Sequence, residues 1–464
     1  MTLANLIESE GLESKVQALP PDADVIFLVK SGLDGSGSHV RRQQLSGDDV
    51  ADANEVDNFV GVFVTPLSLT AENVCLWKNS APNSVYMTRP VELFKAKENR
   101  ANITTHFSPL QKDADALKAP HAVCGISRLS IRCEFSMIDG KMVDLLQGDS
   151  GSFCHYCHVS RDDASSIHAL LQNNSTPFPI SKTIQQCNEA YEKNSQNEFK
   201  NQDKEGQCHS PLLTEDGRYF AIMHQSLRSL DFMLKLLYHL MALVYTWSET
   251  GPGVKEAIKG SKAIAIEQIR RTCNGLLVDC PSKQGGTSNN GPTAERFFSE
   301  KNREAIGNLI PNKEHRDNYC ILLGLFDTVI RVSQSVDDSK CLYIEKFEHL
   351  CWSTMLHISI HFPWVKITPS VHQMLGHNPE LFQMQQGKSI AKYSESALEA
   401  WNKHIRAFRS GPACRARQNS AANNIHDVFV RMLIMSSPLI QKHNAVKSML
   451  GCSPSVEYMY FNEP

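Results

Sequence analysis

The chain has 464 residues, long enough for two or three domains, and its 41% hydrophobic and 8% aromatic content is that of a globular protein with buried cores rather than a disordered one. A formal charge of -3, from 47 basic and 50 acidic side chains, gives no overall basic signature; it excludes a uniformly cationic nucleic-acid coat but leaves room for a local basic stripe. The fourteen cysteines are scattered, and a chain of this length needs no disulfide framework.

The opening MTLANLIESEGLESK lacks a basic stretch followed by an apolar one, which predicts an intracellular chain with reduced thiols. Asp24 to Leu33 reads as a strand, Phe59 to Leu67 as a second, Val74 to Trp77 as a third and Leu129 to Phe135 as a fourth, with few helices between them. Asp34 is expected just past the first strand, in DGSGSH, and Asp139 just past the fourth, in MIDGKMV, so that two acids leave neighbouring strand ends. Asp144 and Asp149 are rivals of Asp139, and an acid after a strand commonly only caps a turn.

After Cys157 the pattern becomes helical, with helices expected near Arg161 to Leu171, Leu227 to Trp247, Val254 to Asn274, Asn318 to Val332 and Ile344 to Ile360. Leu230 to Trp247, the longest apolar run, is broken by Asp231, Lys235 and His239 and fits a buried helix better than a membrane span. Asn188 to Gly217 and Ser282 to Pro292 read as surface loops.

Two constellations carry chemistry. Cys154-x-x-Cys157 and the distant His372-x4-His377 together supply the N and S ligands of one tetrahedral zinc, provided the fold returns the chain to its starting point; His155 and His158 are rival ligands. In SESALEAWNKHIRAFR, Glu399, Asn402, Lys403, Arg406 and Arg409 recur at helical spacing, either as a solvated charged face or as a metal-binding carboxylate beside cations that grip phosphate. Asp34, Asp139 and Glu399 would then supply the hard oxygen ligands of two Mg2+ or Mn2+ ions. No Walker loop, dinucleotide fingerprint, nucleophile elbow or HExxH occurs.

Taken in order, DGSGSH, MIDGKMVDLLQGDSGSFCHYC, HQMLGHNPELF and SESALEAWNKHIRAFR resemble the catalytic core of Transib transposases and of the V(D)J recombination-activating recombinase, with GPTAERFF and DVFVRMLIMSSPLIQKHN extending the likeness. The resemblance implies an α/β RNase H-like catalytic fold, of the DDE type, interrupted by a long, mainly helical, zinc-stapled insertion. The expected division is an N-terminal segment 1–20, a catalytic part 21–153, the insertion 154–385, the glutamate helix 386–412 and a helical tail 413–464. Asp34, Asp139 and Glu399 would be catalytic metal ligands for two Mg2+ or Mn2+ ions, and Cys154, Cys157, His372 and His377 would hold one structural Zn2+. Arg296, Asn402, Lys403, Arg406 and Arg409 would face DNA, with Asn402 positioning a carboxylate or the scissile phosphate.

The implied activity is nicking, hairpin formation and strand transfer at terminal inverted repeats of double-stranded DNA, by a nuclear homodimer, with an accessory recombination protein as a further partner and no membrane. Glu295 and Asp231 depart from the family, which carries a basic residue and a histidine there. The alternatives are a noncatalytic, zinc-stabilised DNA-binding descendant and a structure-selective nuclease of the same fold.

Overall fold

The computed structural model describes residues 2–39, 57–149, 153–157, 159–160, 163–165, 179–196, 207–213, 216, 219–280, 288–410, 421–438 and 460–462. These divide into two compact units: residues 1–146, 215–221 and 392–450 form the first, and 147–214, 222–391 and 451–464 the second. The chain thus leaves the first unit, touches it again in one short segment and returns to it at Lys392.

A mixed sheet forms the first unit, built from β1 (Asp24–His39), β2 (Asp57–Ala71), β3 (Val74–Lys78), β4 (Arg89–Lys95), β5 (His121–Val123) and β6 (Ile126–Met137). The strand order is β3-β2-β1-β6-β5, and β4 also pairs with β2. β2 runs antiparallel to β1, β3 and β4, whereas β6 runs parallel to β1. A parallel neighbour requires a crossover, and α3 (Arg100–Ala116) lies in that connection, started by Asn99, whose Oδ1 accepts the Asn102 amide at 3.0 Å.

Alternation along β1 sorts the two faces. Val25, Phe27 and Val29 join Leu69, Ala71, Trp77, Ile126 and Leu129 in a core closed by Leu3, Leu6 and Ile7 of α1 (Thr2–Glu10), Leu12, and Val16 of α2 (Glu13–Gln17). A second core gathers Phe63, Val85 and Met137 with Leu398, Trp401 and Ile405 of α13 (Ser396–Ser410) and Val428 and Met432 of α14 (Ala421–Met435). Burying a full Leu or Phe side chain is worth about 1.5–3 kcal/mol, so α13 is pinned to the sheet by its apolar stripe. Trp401 adds an indole N–H donated to Thr88 O at 3.0 Å.

Two of these details differ from the sequence reading. Asp34 lies inside β1, because Phe59 to Gly61 of β2 supply antiparallel partners to Asp34, Gly35 and Ser36, and a paired backbone tolerates the glycines. Helices α1, α2 and α3 and strand β4 were not expected; α1 and α2 occupy much of the segment 1–20 and pack beneath the sheet.

The second unit is mainly helical: α5 (Ile184–Gln196), α6 (Ile222–Met241), α7 (Pro252–Thr272), α8 (Gly291–Phe298), α9 (Glu300–Gly307), α10 (Lys313–Gln334), α11 (Ile344–His361) and α12 (Pro369–Met384). α6 stops at Met241 rather than reaching Trp247. Its buried face carries Leu230, Met233, Leu234, Leu237 and Leu240, and Tyr319 of α10 donates its hydroxyl to Met233 O at 3.0 Å. Two buried amides satisfy each other: Gln225 and Asn378 exchange hydrogen bonds at 3.2 and 3.0 Å, and Asn378 Nδ2 also donates to Ser333 Oγ at 2.9 Å. Beyond α14 the expected helical tail includes a short strand, β8 (Tyr460–Asn462), paired antiparallel with β7 (Lys340–Leu342).

Of the expected helix near Arg161 to Leu171, the structure describes only the short 3-10 turn Asp163–Ser165; the rest lies outside the described residues. Of the stretch Asn188 to Gly217 read as a loop, residues 188–196 instead belong to α5, and 197–206 lie outside the described residues, as do residues 282–287 of Ser282 to Pro292 and the end of DVFVRMLIMSSPLIQKHN. No described helix is long and apolar enough to cross a membrane.

Candidate metal centres

In the first unit, parallel pairing sets Gly32 of β1 against Met137 of β6. Asp34 and Asp139 each follow that pair by two residues, so equal offsets along parallel neighbours deliver both acids to one edge of the sheet. The strands approach closely here: a Cβ at Gly32 would lie 1.8 Å from Met137 O, which only glycine avoids. Asp139 also caps α4 (Gly140–Gln147), its Oδ1 accepting the Met142 amide at 2.7 Å. The capping role and a place in the cluster therefore coexist in one carboxylate.

A third acid completes the group. Carboxylate oxygens of Asp34, Glu98 and Asp139 lie within 4.8 Å of one another. Glu98 sits just ahead of the Asn99 cap of α3, and Gly35 makes room for it, since a Cβ there would come 2.9 Å from Glu98 Cδ. Glu98 pairs with Lys141. Burial pushes the Glu98 carboxyl above its usual range and the Asp139 charge adds to this, while the Lys141 hydrogen bond opposes it. Three converging carboxylates with one lysine form a site that is electrostatically costly unless cations neutralise it.

Glu98 does not stand out in the sequence as a ligand. The signals were an acid immediately before an Asn cap and a glycine directly after Asp34, and both depend on placing α3.

Glu399 lies in the first turn of α13, partly buried, and is not among the three acids gathered within 4.8 Å. One turn later, Asn402 donates through Nδ2 to Asp34 Oδ2 at 2.8 Å, so the face of α13 that bears Glu399 is tied to the cluster. Lys403 is exposed. The side chains of Arg406 and Arg409 lie outside the described residues. Asp144 is not in the cluster, and Asp149 belongs to the second unit, where it forms a buried ion pair with Lys182.

The second unit brings the other constellation together. Cys154 and Cys157 flank a tight turn closed by Cys154 N–H to Val159 O at 3.0 Å, and the Tyr156 amide points at Cys154 Sγ at 3.4 Å. Their sulfurs meet two histidines of α12: Cys154 Sγ lies 3.4 Å from His377 Nε2, and Cys157 Sγ lies 3.3 Å from His372 Nε2. All four ligand atoms fall within 4.8 Å of one another. A tetrahedral ion with bonds of about 2.3 Å to sulfur and about 2.0 Å to nitrogen sets S···N separations of about 3.5 Å, close to those found.

Burial opposes ionisation of Cys154, but hydrogen bonding from Cys157 and the neighbouring His377 charge hold its thiol well below the ordinary value. Burial likewise opposes the charge on His377, yet the Cys154 charge raises it to about 9, and Glu380 Oε2 lies 3.8 Å from its Nδ1. Cys154 therefore carries thiolate character of the kind a soft cation takes, whereas the hydrogen bond with Cys154 and burial push the Cys157 thiol up. His155 is turned away: it is buried, with Nδ1 3.2 Å from Gln373 Nε2. His158 lies outside the described residues.

Arg296 has a local role. Its Nη2 donates to Cys273 O at 3.2 Å and Asn274 O at 2.8 Å, the carbonyls just past α7. Asp231 pairs with Arg228 at 3.0 Å and accepts from Asn289 at 3.0 Å, fixing the entry to α8, while Glu295 is exposed.

A sheet in which one long strand is antiparallel to its successor and parallel to a later strand, with acids just past the parallel pair, has the pattern of an RNase H-like fold. Residues 27–152 match the family model of the Recombination-activation protein 1 (RAG1) RNase H domain. This part of the chain is accordingly similar to the RAG1 RNase H domain, and Asp34, Glu98 and Asp139 all fall within the match. No curated protein is similar enough to the chain to count as a match.

Proposed function

We propose that this chain is a DNA transposase or recombinase of the DDE type, which nicks DNA beside terminal inverted repeats, forms a hairpin with the freed 3'-hydroxyl and joins ends by transesterification. The observation that carries the reading is the Asp34, Glu98 and Asp139 cluster at the edge of a sheet that matches the RAG1 RNase H domain. Oxygen donors of this density suit hard cations such as Mg2+ or Mn2+. Bound there, a pair of such ions would offset charge on the attacking and leaving oxygens of an in-line phosphoryl displacement.

The side chains supply placement. Asp34 and Asp139 converge because their strands run parallel in equal offset, and Glu98 arrives from the start of α3. Asn402 orients Asp34 by donating to its Oδ2. Glu399 joins as the third acid of the DDE set from the preceding turn of α13. Lys141 balances Glu98. Lys403, Arg406 and Arg409 on α13 would hold the phosphate backbone, and such contacts would make binding salt-dependent.

Cys154, Cys157, His372 and His377 fit one structural Zn2+ in a closed S2N2 set, tying the beginning of the second unit's chain to α12. Partners that follow from the reading are double-stranded DNA with terminal inverted repeats, a second copy of this chain to pair the two ends, and an accessory recombination protein; the compartment is the nucleus.

The test is incubation with DNA carrying terminal inverted repeats and Mg2+ or Mn2+, comparing the chain with Asp34→Ala. Metal-dependent nicks and hairpins lost in Asp34→Ala support the reading. Binding without cleavage by both proteins points instead to a noncatalytic DNA-binding descendant, and cleavage of hairpins or flaps lacking the repeats points to a structure-selective nuclease.

A further inference from the structure

Four residues before Asp34, β1 carries a lysine removed from solvent. Lys30 is 0% exposed, and its Nζ donates to Ser394 O at 2.8 Å and Asn83 Oδ1 at 2.9 Å. Glu395, itself buried, supplies the nearby opposite charge, and Ser394 Oγ donates to Glu395 Oε2 at 3.0 Å. Ser394 and Glu395 are the residues through which the chain enters α13.

The same strand holds α13 at a second point, through Asp34 and Asn402. Lys30 and Asp34 share a face of β1 by alternation, spanning roughly 13 Å at strand rise. Ser396 to Asn402 covers roughly 9 Å at helical rise, with Ser394 and Glu395 ahead of the helix, so the two tethers are similar in length. Glu399 lies between them. A buried ammonium costs several kcal/mol to desolvate, and a methionine would fill the same volume without that cost. What lysine adds is direction, with N–H groups aimed at one carbonyl and one amide oxygen.

We propose that Lys30 is a positioning residue for the glutamate of α13: by fixing the entry of the helix against β1 it sets where the Glu399 carboxylate stands relative to Asp34 and Asp139, and so the cation affinity of the site. The inference rests on the metal-dependent reading above. Lys30 touches no substrate and acts through the Ser394 and Glu395 backbone.

The experiment uses the full chain and Mn2+ as probe, with affinity read by electron paramagnetic resonance and cleavage followed in parallel. Lys30→Met alone strands Glu395 and is at risk of misfolding, so the decisive variant is Lys30→Met combined with Glu395→Gln, which leaves no orphaned buried charge. The expected result is a folded protein of unchanged or higher melting temperature and unchanged zinc content, with Mn2+ affinity at least tenfold weaker and cleavage reduced to the level of Glu399→Gln. Wild-type Mn2+ affinity and cleavage in the double variant would overturn the proposal while leaving the metal reading intact, provided Asp34→Ala abolishes binding. Mn2+ binding that survives Asp34→Ala as well would sink both together.

Discussion

Asp139 does two jobs that substitution can separate. Its Oδ1 caps α4 through the Met142 amide at 2.7 Å, and its carboxylate stands with Asp34 and Glu98 within 4.8 Å. Asparagine caps as well as aspartate, whereas alanine forfeits about 1 kcal/mol. Asp139→Ala should therefore lower the melting temperature of the first unit by about 2–4 °C, the shift expected per kcal/mol for a domain of about 150–250 residues. Asp139→Asn should melt within about 1 °C of wild type or slightly above it, because it keeps the cap and removes a charge that repels Glu98. Both variants should lose Mn2+ affinity at least tenfold, about 1.4 kcal/mol. Scanning calorimetry without added Mn2+, beside a Mn2+ titration, reads the two effects independently. Equal melting losses for Ala and Asn would refute the capping argument, and wild-type Mn2+ affinity in Asp139→Asn would refute ligation.

Cys157→Ala should lose its zinc by elemental analysis and melt the second unit earlier, since structural zinc contributes directly to folding; unchanged zinc and melting would remove the ligand assignment. Glu399→Gln should bind repeat DNA nearly as well as wild type while strand cleavage drops below detection, because the cations of α13 are untouched; wild-type cleavage would exclude Glu399 as a required ligand. Burial lowers the Lys30 pKa to about 7, with Glu395 opposing the shift. Between about pH 7 and the ordinary lysine value near 10.5 the unfolded chain binds this proton more readily, so stability rises with pH by up to about 1.4 kcal/mol per unit. Denaturant titrations across that window should show the slope in wild type and its loss in the Lys30→Met, Glu395→Gln variant.

How much of this was legible in the sequence depends on how local the chemistry is. The cysteine pair and the histidine pair announce themselves by residue type and spacing, and the fold brings their donor atoms together although more than two hundred residues separate them. Asp34 and Asp139 were visible as acids near strand ends, but the length of β1 was not, because its extension past Asp34 is stabilised by pairing with Phe59 to Gly61 rather than by its own Gly-rich residues. Helix α3 was hidden by its weak apolar periodicity and by Pro109 within it, and with it went Glu98. Lys30 was illegible for a different reason. Charge in a sequence reads as surface, and only the tertiary approach of Ser394, Glu395 and Asn83 makes burial of an ammonium tolerable. Arg296, read as a DNA contact, spends hydrogen bonds on the end of α7, which no local pattern disclosed.

The most direct test of the central claim is strand cleavage of DNA bearing terminal inverted repeats in the presence of Mn2+, by the zinc-loaded chain and by Asp34→Ala. Nicks and hairpins that require the metal and vanish in the variant are the expected result. Cleavage that persists in Asp34→Ala, or no cleavage by a folded protein that binds the repeats and Mn2+, would contradict it.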